Sequence, residues 1–316
     1  MDLKQIASFV KIEHTLFSLP FVFIGYIVAF YEFGSELTPS EYGWIRLELV
    51  WIIIAAVGAR GLAMALNRII DREIDASNPR TANRHLASGE MSIQTAWILA
   101  AIFLVMLLVA AGLLNQVALM MAWLPVLAFI IYPYMKRYTW LCHLWLGLCL
   151  GLAPAGAWVA LAADVHGWAA ITGMFDHKTE FLWAPTILPI SLGVALWIAA
   201  FDINYARMDV DNDRSSGIHS FPAKFGEDAT TRTTVQLTLV WFACFAISDP
   251  IDGIWFLAAS GIMATLNIWV VLAHNKFSDF QKTLFHISVS TGWVLLVSLI
   301  IGFLFEPLGN GKFMLD

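Results

Sequence analysis

A succession of apolar runs, each about twenty residues long, recurs from one end of the chain to the other, and it narrows the fold more than any other feature. A run of this length reads as a membrane-spanning helix. Nine runs fit, at approximately 14–33, 44–66, 93–114, 117–135, 140–163, 184–204, 232–248, 252–273 and 284–305. The third and fourth are separated only by Asn115 and Gln116, so a tight hairpin is expected there. Only 13% of the 316 residues are charged and 59% are hydrophobic, against about 25% charged in soluble domains. The chain is therefore read as one all-α polytopic membrane domain covering 1–316, rather than the two soluble domains that its length alone suggests.

Smaller signals agree with spanning helices. Trp44, Trp97, Trp140, Trp183 and Trp255 fall near expected helix ends, as an interfacial aromatic belt does. Cys142, Cys149 and Cys244 lie in or beside apolar runs without a CxxC pair, which reads as buried apolar thiols. The polar stretch Met1 to Glu13 leads into a full-length run without a small-residue cleavage site, so no cleaved signal peptide is expected.

Basic residues set the orientation. Lys4 and Lys11 lie in the N-terminal tail, and Arg68, Arg72, Arg80 and Arg84 in or beside the second connection. Lys136 and Arg137 follow the fourth run; Arg207, Arg214, Lys224 and Arg232 follow the sixth; Lys276 and Lys282 follow the eighth. These are most of the 18 basic residues, whereas only Arg46, Lys178 and Lys312 fall on the other side and Arg60 lies inside a run. The positive-inside rule then puts the N-terminus in the cytoplasm and, after nine spans, the C-terminus outside.

Two cytoplasmic connections begin in acids, at Asn67–Asp75 and Asp202–Asp213. A carboxylate inside a spanning helix costs about 2.5–3.5 kcal/mol, so such residues default to function. At 100° per residue, Arg60, Asn67 and Asp71 share one stripe, with Asp75 a turn further on. Asp202, Asp209 and Asp213 form a matching stripe if their helix continues, with Tyr205 close by. Lipid rejects charge, so both stripes are expected to face a cavity within the bundle.

Clustered carboxylates repel one another unless a cation intervenes. Mg²⁺ suits them, because it takes one or two carboxylates and completes its shell with water and substrate phosphate. Arg72, Arg80, Arg84, Lys136, Arg137 and Arg214 are available for phosphate oxygens. Solvated caps and orientation signals are the plainer explanation, but two acid series together argue against it. The external connection at about 164–183 carries Asp164, His166, Asp176 and His177, read as a polar loop rather than a metal site. Gly58 and Gly61, with Ala55, Ala59, Ala63 and Ala65, give the second helix a small-residue packing face. No Walker A loop, HExxH or GxSxG motif occurs.

Four segments together resemble the UbiA superfamily of intramembrane prenyltransferases. Asn67-x-x-x-Asp71-x-x-x-Asp75 is similar to its NxxxDxxxD motif. Tyr205-Ala206 followed by Asp209-x-x-x-Asp213 is similar to YAxxDxxxD. Arg80-Thr81-Ala82-Asn83-Arg84-His85-Leu86-Ala87-Ser88-Gly89 resembles the RTxxRPLxSG loop. Tyr132 to Thr139 resembles the YPxxKRxT segment of the 4-hydroxybenzoate polyprenyltransferase branch. The resemblance implies a helical bundle around a central cavity that opens to the cytoplasm and laterally to lipid. It implies that Asn67, Asp71, Asp75, Asp209 and Asp213 hold Mg²⁺ and the diphosphate of a polyprenyl donor, the four aspartates being catalytic. Arg60, Arg72, Arg80, Arg84, Lys136, Arg137, Tyr205 and Asp202 become substrate-binding candidates. Arg137 is then the expected partner of an aromatic carboxylate, and Arg60 either pairs with an acid or touches substrate.

The function so implied is Mg²⁺-dependent prenylation of a 4-hydroxybenzoate-type acid in ubiquinone or menaquinone biosynthesis, in a bacterial inner membrane. No nucleic-acid or protein partner is implied. Departures occur at Glu13-His14, at His85 for the usual Pro, at His219 for a frequent Lys, and at Leu141-Cys142-His143 for Leu-Pro-Gln. They are more like a sister group proposed to prenylate 1,4-dihydroxy-6-naphthoate for menaquinone, in which His143 is a candidate for the aromatic pocket. A secondary transporter is the reading from a different class. The gathering of the acids at one cytoplasmic edge, among phosphate-suited bases, favours prenyl transfer.

Overall fold

The structure, a computed structural model, describes residues 3–11, 15–37, 46–175, 178–251 and 253–305. Glu13, His14, Trp44, Asp176, His177 and Lys312 lie outside the described residues. A short helix α1 (Leu3–Phe9) precedes α2 (Thr15–Phe33). Then come α3 (Leu47–Ile70), α4 (Arg72–Ser77), α5 (Ile93–Leu114), α6 (Gln116–Met121), α7 (Trp123–Met135) and α8 (Cys142–His166). A one-turn α9 (Ala169–Thr172) leads to an antiparallel pair of two-residue strands, β1 (Met174–Phe175) and β2 (Lys178–Thr179). The chain continues through α10 (Ile187–Tyr205), α11 (Val210–Ser215), α12 (Phe221–Phe225), α13 (Glu227–Ser248), α14 (Ile254–Leu272) and α15 (Phe280–Phe305).

Helix occupies the described part of each expected run, and seven of the described segments are long and apolar enough to cross a membrane. The other two are α2, apolar along most of its 19 residues, and α13, which opens on Glu227 and Asp228 and carries Arg232. The expected single run at 117–135 is divided at Ala122. Pro125 has no N–H for the Met121 carbonyl, which removes one helical bond at that point. Among the elements not expected from the sequence are the β pair in the external loop and α1. Phe9 and Val10, at and just after the end of α1, are buried in the same apolar cluster as Leu62 and Leu66 of α3, so the polar tail carries an apolar anchor.

Two apolar clusters build the bundle. One joins α2, α8, α10 and α13–α15, with the Phe17 and Trp197 rings stacked at 4.9 Å between α2 and α10. The other joins α1, α3, α5 and α7. On α5 the residues Ala96, Leu99, Ala100 and Phe103 are buried, while Ile98, Ile102, Val105 and Val109 are exposed along the opposite stripe. An exposed apolar stripe of this kind is what a lipid-facing helix presents.

Between helices in lipid there is little hydrophobic drive, so close approach of small residues carries the packing. A Cβ on Gly61 would meet the Phe103 ring at 2.4 Å, and one on Gly58 the Leu107 nitrogen at 2.7 Å. The small-residue face of α3 therefore packs on α5. Polar bonds add to this. Asn115 caps α6 through the Ala118 N–H (2.8 Å) and donates to the Ala160 carbonyl of α8 (2.9 Å).

At Gly147 a Cβ would come within 2.1 Å of the Ala195 carbonyl oxygen of α10, whereas at Gly156, on the same helix, it would meet nothing within 4 Å. Gly147→Ala is expected to destabilise the bundle by about 1–3 kcal/mol, the usual cost of overpacking, and Gly156→Ala to leave it unchanged. Thermal unfolding of the two variants in detergent checks the contrast.

Candidate active site

A cavity of about 810 Å³ lies between the two clusters, walled by α2, α3, α5–α8 and α10. Its inner walls are apolar, with Ile52, Leu107, Met121 and Val159 among them, while acids and bases crowd its other end. The acids sit where helices end. Asp71 follows α3 with ψ near 6°, yet its N–H still bonds the Asn67 carbonyl at 2.9 Å and the Asp75 N–H bonds its own carbonyl at 2.8 Å. Asn67 and Asp75 consequently reach the cavity wall on the same side. On the facing element α10 stops at Tyr205, and a 3₁₀ turn over Ala206–Asp209 leads into α11. The expected uninterrupted stripe Asp202–Asp209–Asp213 is corrected accordingly. All three acids nonetheless line the cavity, because the turn re-aims the chain without carrying it away.

The loop after α4 is folded by its own polar groups. Asn78 Oδ1 accepts from the Arg80 N–H at 2.9 Å, and Thr81 Oγ1 donates to the Asp75 carbonyl at 2.9 Å. Gly89 ends the loop at φ 80°, open to glycine rather than to L side chains. The loop returns two arginines to the acids. Arg80 grips Asp209 in a fork, Nε to Oδ1 at 2.8 Å and Nη2 to Oδ2 at 2.5 Å, and Asn78 Nδ2 adds a bond to Oδ1 at 3.2 Å. Arg84 Nη1 donates to Asp75 Oδ1 at 2.7 Å, and Arg68 Nη1 lies 3.8 Å from Oδ2. The Arg80 guanidinium also lies over the Tyr205 ring, 5.5 Å from its centre. Gln281 of α15 bonds the Tyr205 hydroxyl.

Asp71 is 0% exposed and bonded to the Lys136 ammonium, with Arg137 Nη2 at 3.7 Å from Oδ1. Burial pushes its carboxyl above the usual range, against the pull of Lys136. Burial alone would lower the Arg80 guanidinium, but the Asp209 bonds outweigh it and raise it. Deeper in the cavity Arg60 has no such relief, since its Nε is buried without a hydrogen bond. Asp202, also on the wall, is bonded by His143.

The model of the UbiA prenyltransferase family matches residues 18–289. The chain belongs to the UbiA prenyltransferase family. A 4-hydroxybenzoate octaprenyltransferase of Shewanella woodyi is 31% identical over 242 residues, covering 75% of this chain and 73% of that one. Another, of Aliivibrio fischeri, is 30% identical over 237 residues, covering 75% and 73%. The apo structure of a UbiA homolog from Aeropyrum pernix K1 superposes with a TM-score of 0.70 at 29% identity, over 92% of this chain and 98% of that one. A UbiA homolog from Archaeoglobus fulgidus bound to GPP and Mg²⁺ shares the fold at TM-score 0.58 and 17% identity, over 93% and 99%. This protein is thus an enzyme of the prenyltransferase class.

Within the prenyltransferase cavity the expected site residues divide. Asn67, Asp75, Asp202, Asp209, Asp213, Arg60, Arg80, Arg84, Lys136 and Tyr205 line it. Three others do not. Asp71 is covered by Lys136, Arg72 is exposed to the outside, and Arg137 donates to the Ile70 carbonyl at 2.7 Å. Arg137, expected to meet an aromatic carboxylate, is tied by that bond to the end of α3 and does not line the cavity. Arg60, for which an acid of the cluster was one expected partner, has none in ion-pair range among the described residues. Asn78 was missed altogether. The helix-stopping Ser77-Asn78-Pro79 is the signal that could have placed it in a turn beside the acids.

Among the described residues no three His, Cys, Asp or Glu side chains gather as a ligand set. The donors at the acidic end are all oxygens of Asp and Asn, the kind a hard divalent ion takes. Asp71 Oδ1 is buried without a hydrogen bond, one lone pair left over for a ligand. The residues fit Mg²⁺, on condition that the acids exchange their basic partners. Lys136→Met would strand the buried Asp71 carboxylate, at a cost of about 3–5 kcal/mol. Adding Asp71→Leu is expected to recover most of that stability, and equal melting temperatures for single and double variants would contradict the pairing.

Proposed function

We propose that this enzyme moves a prenyl chain from a polyprenyl diphosphate to a ring carbon of a 4-hydroxybenzoate-type acid, with Mg²⁺ on the diphosphate. The observation that carries the reading is the division of one cavity into two charged zones. Where the helices end, Asp209 and Asp75 are paired with Arg80 and Arg84; deeper in, Arg60 stands without an acid and Asp202 without a Lys or Arg. The bacterial relatives named for 4-hydroxybenzoate, and the archaeal homolog holding GPP and Mg²⁺, support the same substrates.

Asn67, Asp75, Asp209 and Asp213 would hold the metal, joined by Asp71 once Lys136 turns to a phosphate oxygen. When bound, Mg²⁺ neutralises the leaving diphosphate as the carbon–oxygen bond breaks. Arg80 and Arg84 leave Asp209 and Asp75 for phosphate oxygens, which guanidinium forks fit as well as they fit carboxylates. Arg60 takes the acceptor carboxylate, the charge its own buried site lacks. Asp202 accepts the hydrogen bond of the phenol and so raises electron density at the ring carbon that attacks. The apolar walls beyond Arg60 shelter the prenyl chain and keep water from the allylic cation.

The same proposal has α2 and α13 crossing the bilayer with the other seven segments, so that one domain, residues 1–316, spans it nine times. Its N-terminus and charged cavity mouth face the cytoplasm, its C-terminus faces outward, and a lateral opening passes the prenyl tail to lipid. The bacterial relatives support an inner-membrane location.

Membranes containing the enzyme, Mg²⁺ and a polyprenyl diphosphate are expected to convert 4-hydroxybenzoate to a prenylated acid, identified by mass spectrometry, and to stop on chelation. Arg60→Ala should raise the acceptor KM at least about tenfold, as loss of a buried charged hydrogen bond does, with the donor KM unchanged. A product only from 1,4-dihydroxy-6-naphthoate would reassign the acceptor. No product from either, beside an active control, would refute the reading.

A further inference from the structure

His143, in the first turn of α8, is 4% exposed and makes two hydrogen bonds through its ring. Its Nδ1 lies 2.7 Å from Asp202 Oδ2 on α10, and its Nε2 lies 3.0 Å from the backbone nitrogen of Phe221 on α12. A backbone N–H only donates, so Nε2 is the acceptor. The single ring proton is then on Nδ1, directed at Asp202. A ring protonated on both nitrogens would set two N–H groups against each other at Phe221. The tautomer is thereby imposed by the main chain.

Asp202 differs from three of the acids at this site. Asp71, Asp75 and Asp209 are each gripped by Lys or Arg, while the imidazole is the ion-pair partner of Asp202 among the described residues. One carboxylate oxygen is anchored, and the side chain retains 23% exposure on the cavity wall. The anchor is itself tied to the opposite zone of the site. The Ile218 N–H bonds the Asp213 carbonyl at 2.9 Å and the His219 N–H bonds the Lys136 carbonyl at 2.8 Å, so the segment that delivers the Phe221 N–H also runs past two diphosphate-side residues.

We propose that His143 is a positioning residue for the acceptor: held in the Nδ1–H form by the Phe221 N–H, it fixes the Asp202 carboxylate so that its other oxygen meets the acceptor hydroxyl. The inference rests on the acceptor role given to Asp202 above. His143 makes no contact with the reacting atoms. It acts by removing the freedom of Asp202 to rotate, so its loss reads as misalignment rather than as loss of a charge. Misplacement by about 1 Å is enough to lower a rate on the order of a hundredfold.

Glutamine is the informative substitute, since its amide nitrogen can donate to Asp202 while its oxygen accepts from Phe221. In prenylation assays with reconstituted enzyme, His143→Leu is expected to lower kcat/KM for the acceptor by about 10- to 100-fold, with the KM for the prenyl diphosphate unchanged. His143→Gln should restore most of the loss. In an Asp202→Asn background His143→Leu should add almost nothing, because residues acting through one another are not additive. A rise in the KM for the prenyl diphosphate, no rescue by Gln, or losses that multiply in the double variant would each overturn the proposal. The ¹⁵N shifts of the His143 ring, assigned by difference from His143→Gln, report the tautomer without turnover. An Nε2-protonated or doubly protonated ring at neutral pH would also overturn it. A wild-type enzyme that prenylates neither acceptor would instead refute the acceptor reading, while the ring shifts still decide the tautomer.

Discussion

Charge inside a poorly polarisable bundle has to be answered by charge, and the charged end of this molecule is organised around that requirement. A carboxylate out of water is stable only with a close cation and with its lone pairs occupied. The answering cations come from elsewhere in the chain. Lys136, beyond α7, covers Asp71 beyond α3; Arg80, in the loop after α4, forks onto Asp209 beyond α10; Arg84 reaches Asp75. Of these, the Arg80–Asp209 pair joins elements whose apolar packing belongs to two separate clusters. The cavity is what remains between the clusters, and the ion pairs hold its charged end together.

The same requirement links structure to chemistry. A diphosphate and a divalent cation carry the two charge types the pairs already contain. On the proposed function, binding is an exchange of partners, in which arginines pass from carboxylate to phosphate and carboxylates from guanidinium to metal. Much of the desolvation cost of the acids has been met in folding, so the exchange begins from carboxylates already largely out of water and already aimed. Arg60 lies outside this arrangement. With no acid to answer it, it is the group in the cavity with most to gain from an anionic ligand. Asp202 is its counterpart of opposite sign, held by an imidazole whose other nitrogen accepts a main-chain N–H.

Much of the scaffold was legible along the chain. Helix positions followed from apolar run length, the hairpin at Asn115 from two polar residues between runs, and the close face of α3 from Gly58 and Gly61. Asn67 and Asp75 reached the cavity as helical spacing indicates. The exceptions have local causes with distant consequences. Pro125 divides one run by a missing donor, and the turn over Ala206–Asp209 interrupts a helix that spacing alone would continue. Phe9 and Val10 buried α1 because a complementary apolar patch on α3 lay within reach, which the polar tail itself does not reveal.

By itself the sequence determined the helices, the side of the bundle on which its acids and bases gather, and the motifs that mark the family. Each of these depends on hydrophobicity, charge or spacing within a few turns of chain. Only the tertiary structure decided which base answers which acid. Arg80 and Asp209 are 129 residues apart, and Lys136 and Asp71 are 65. It placed Arg137 on the Ile70 carbonyl outside the cavity, left Arg60 unanswered within it, and set His143 between Asp202 and a main-chain donor 78 residues away. The physical reason is that periodicity is written in neighbouring residues, whereas the pairing of a buried charge depends on the groups that packing brings within about 3 Å.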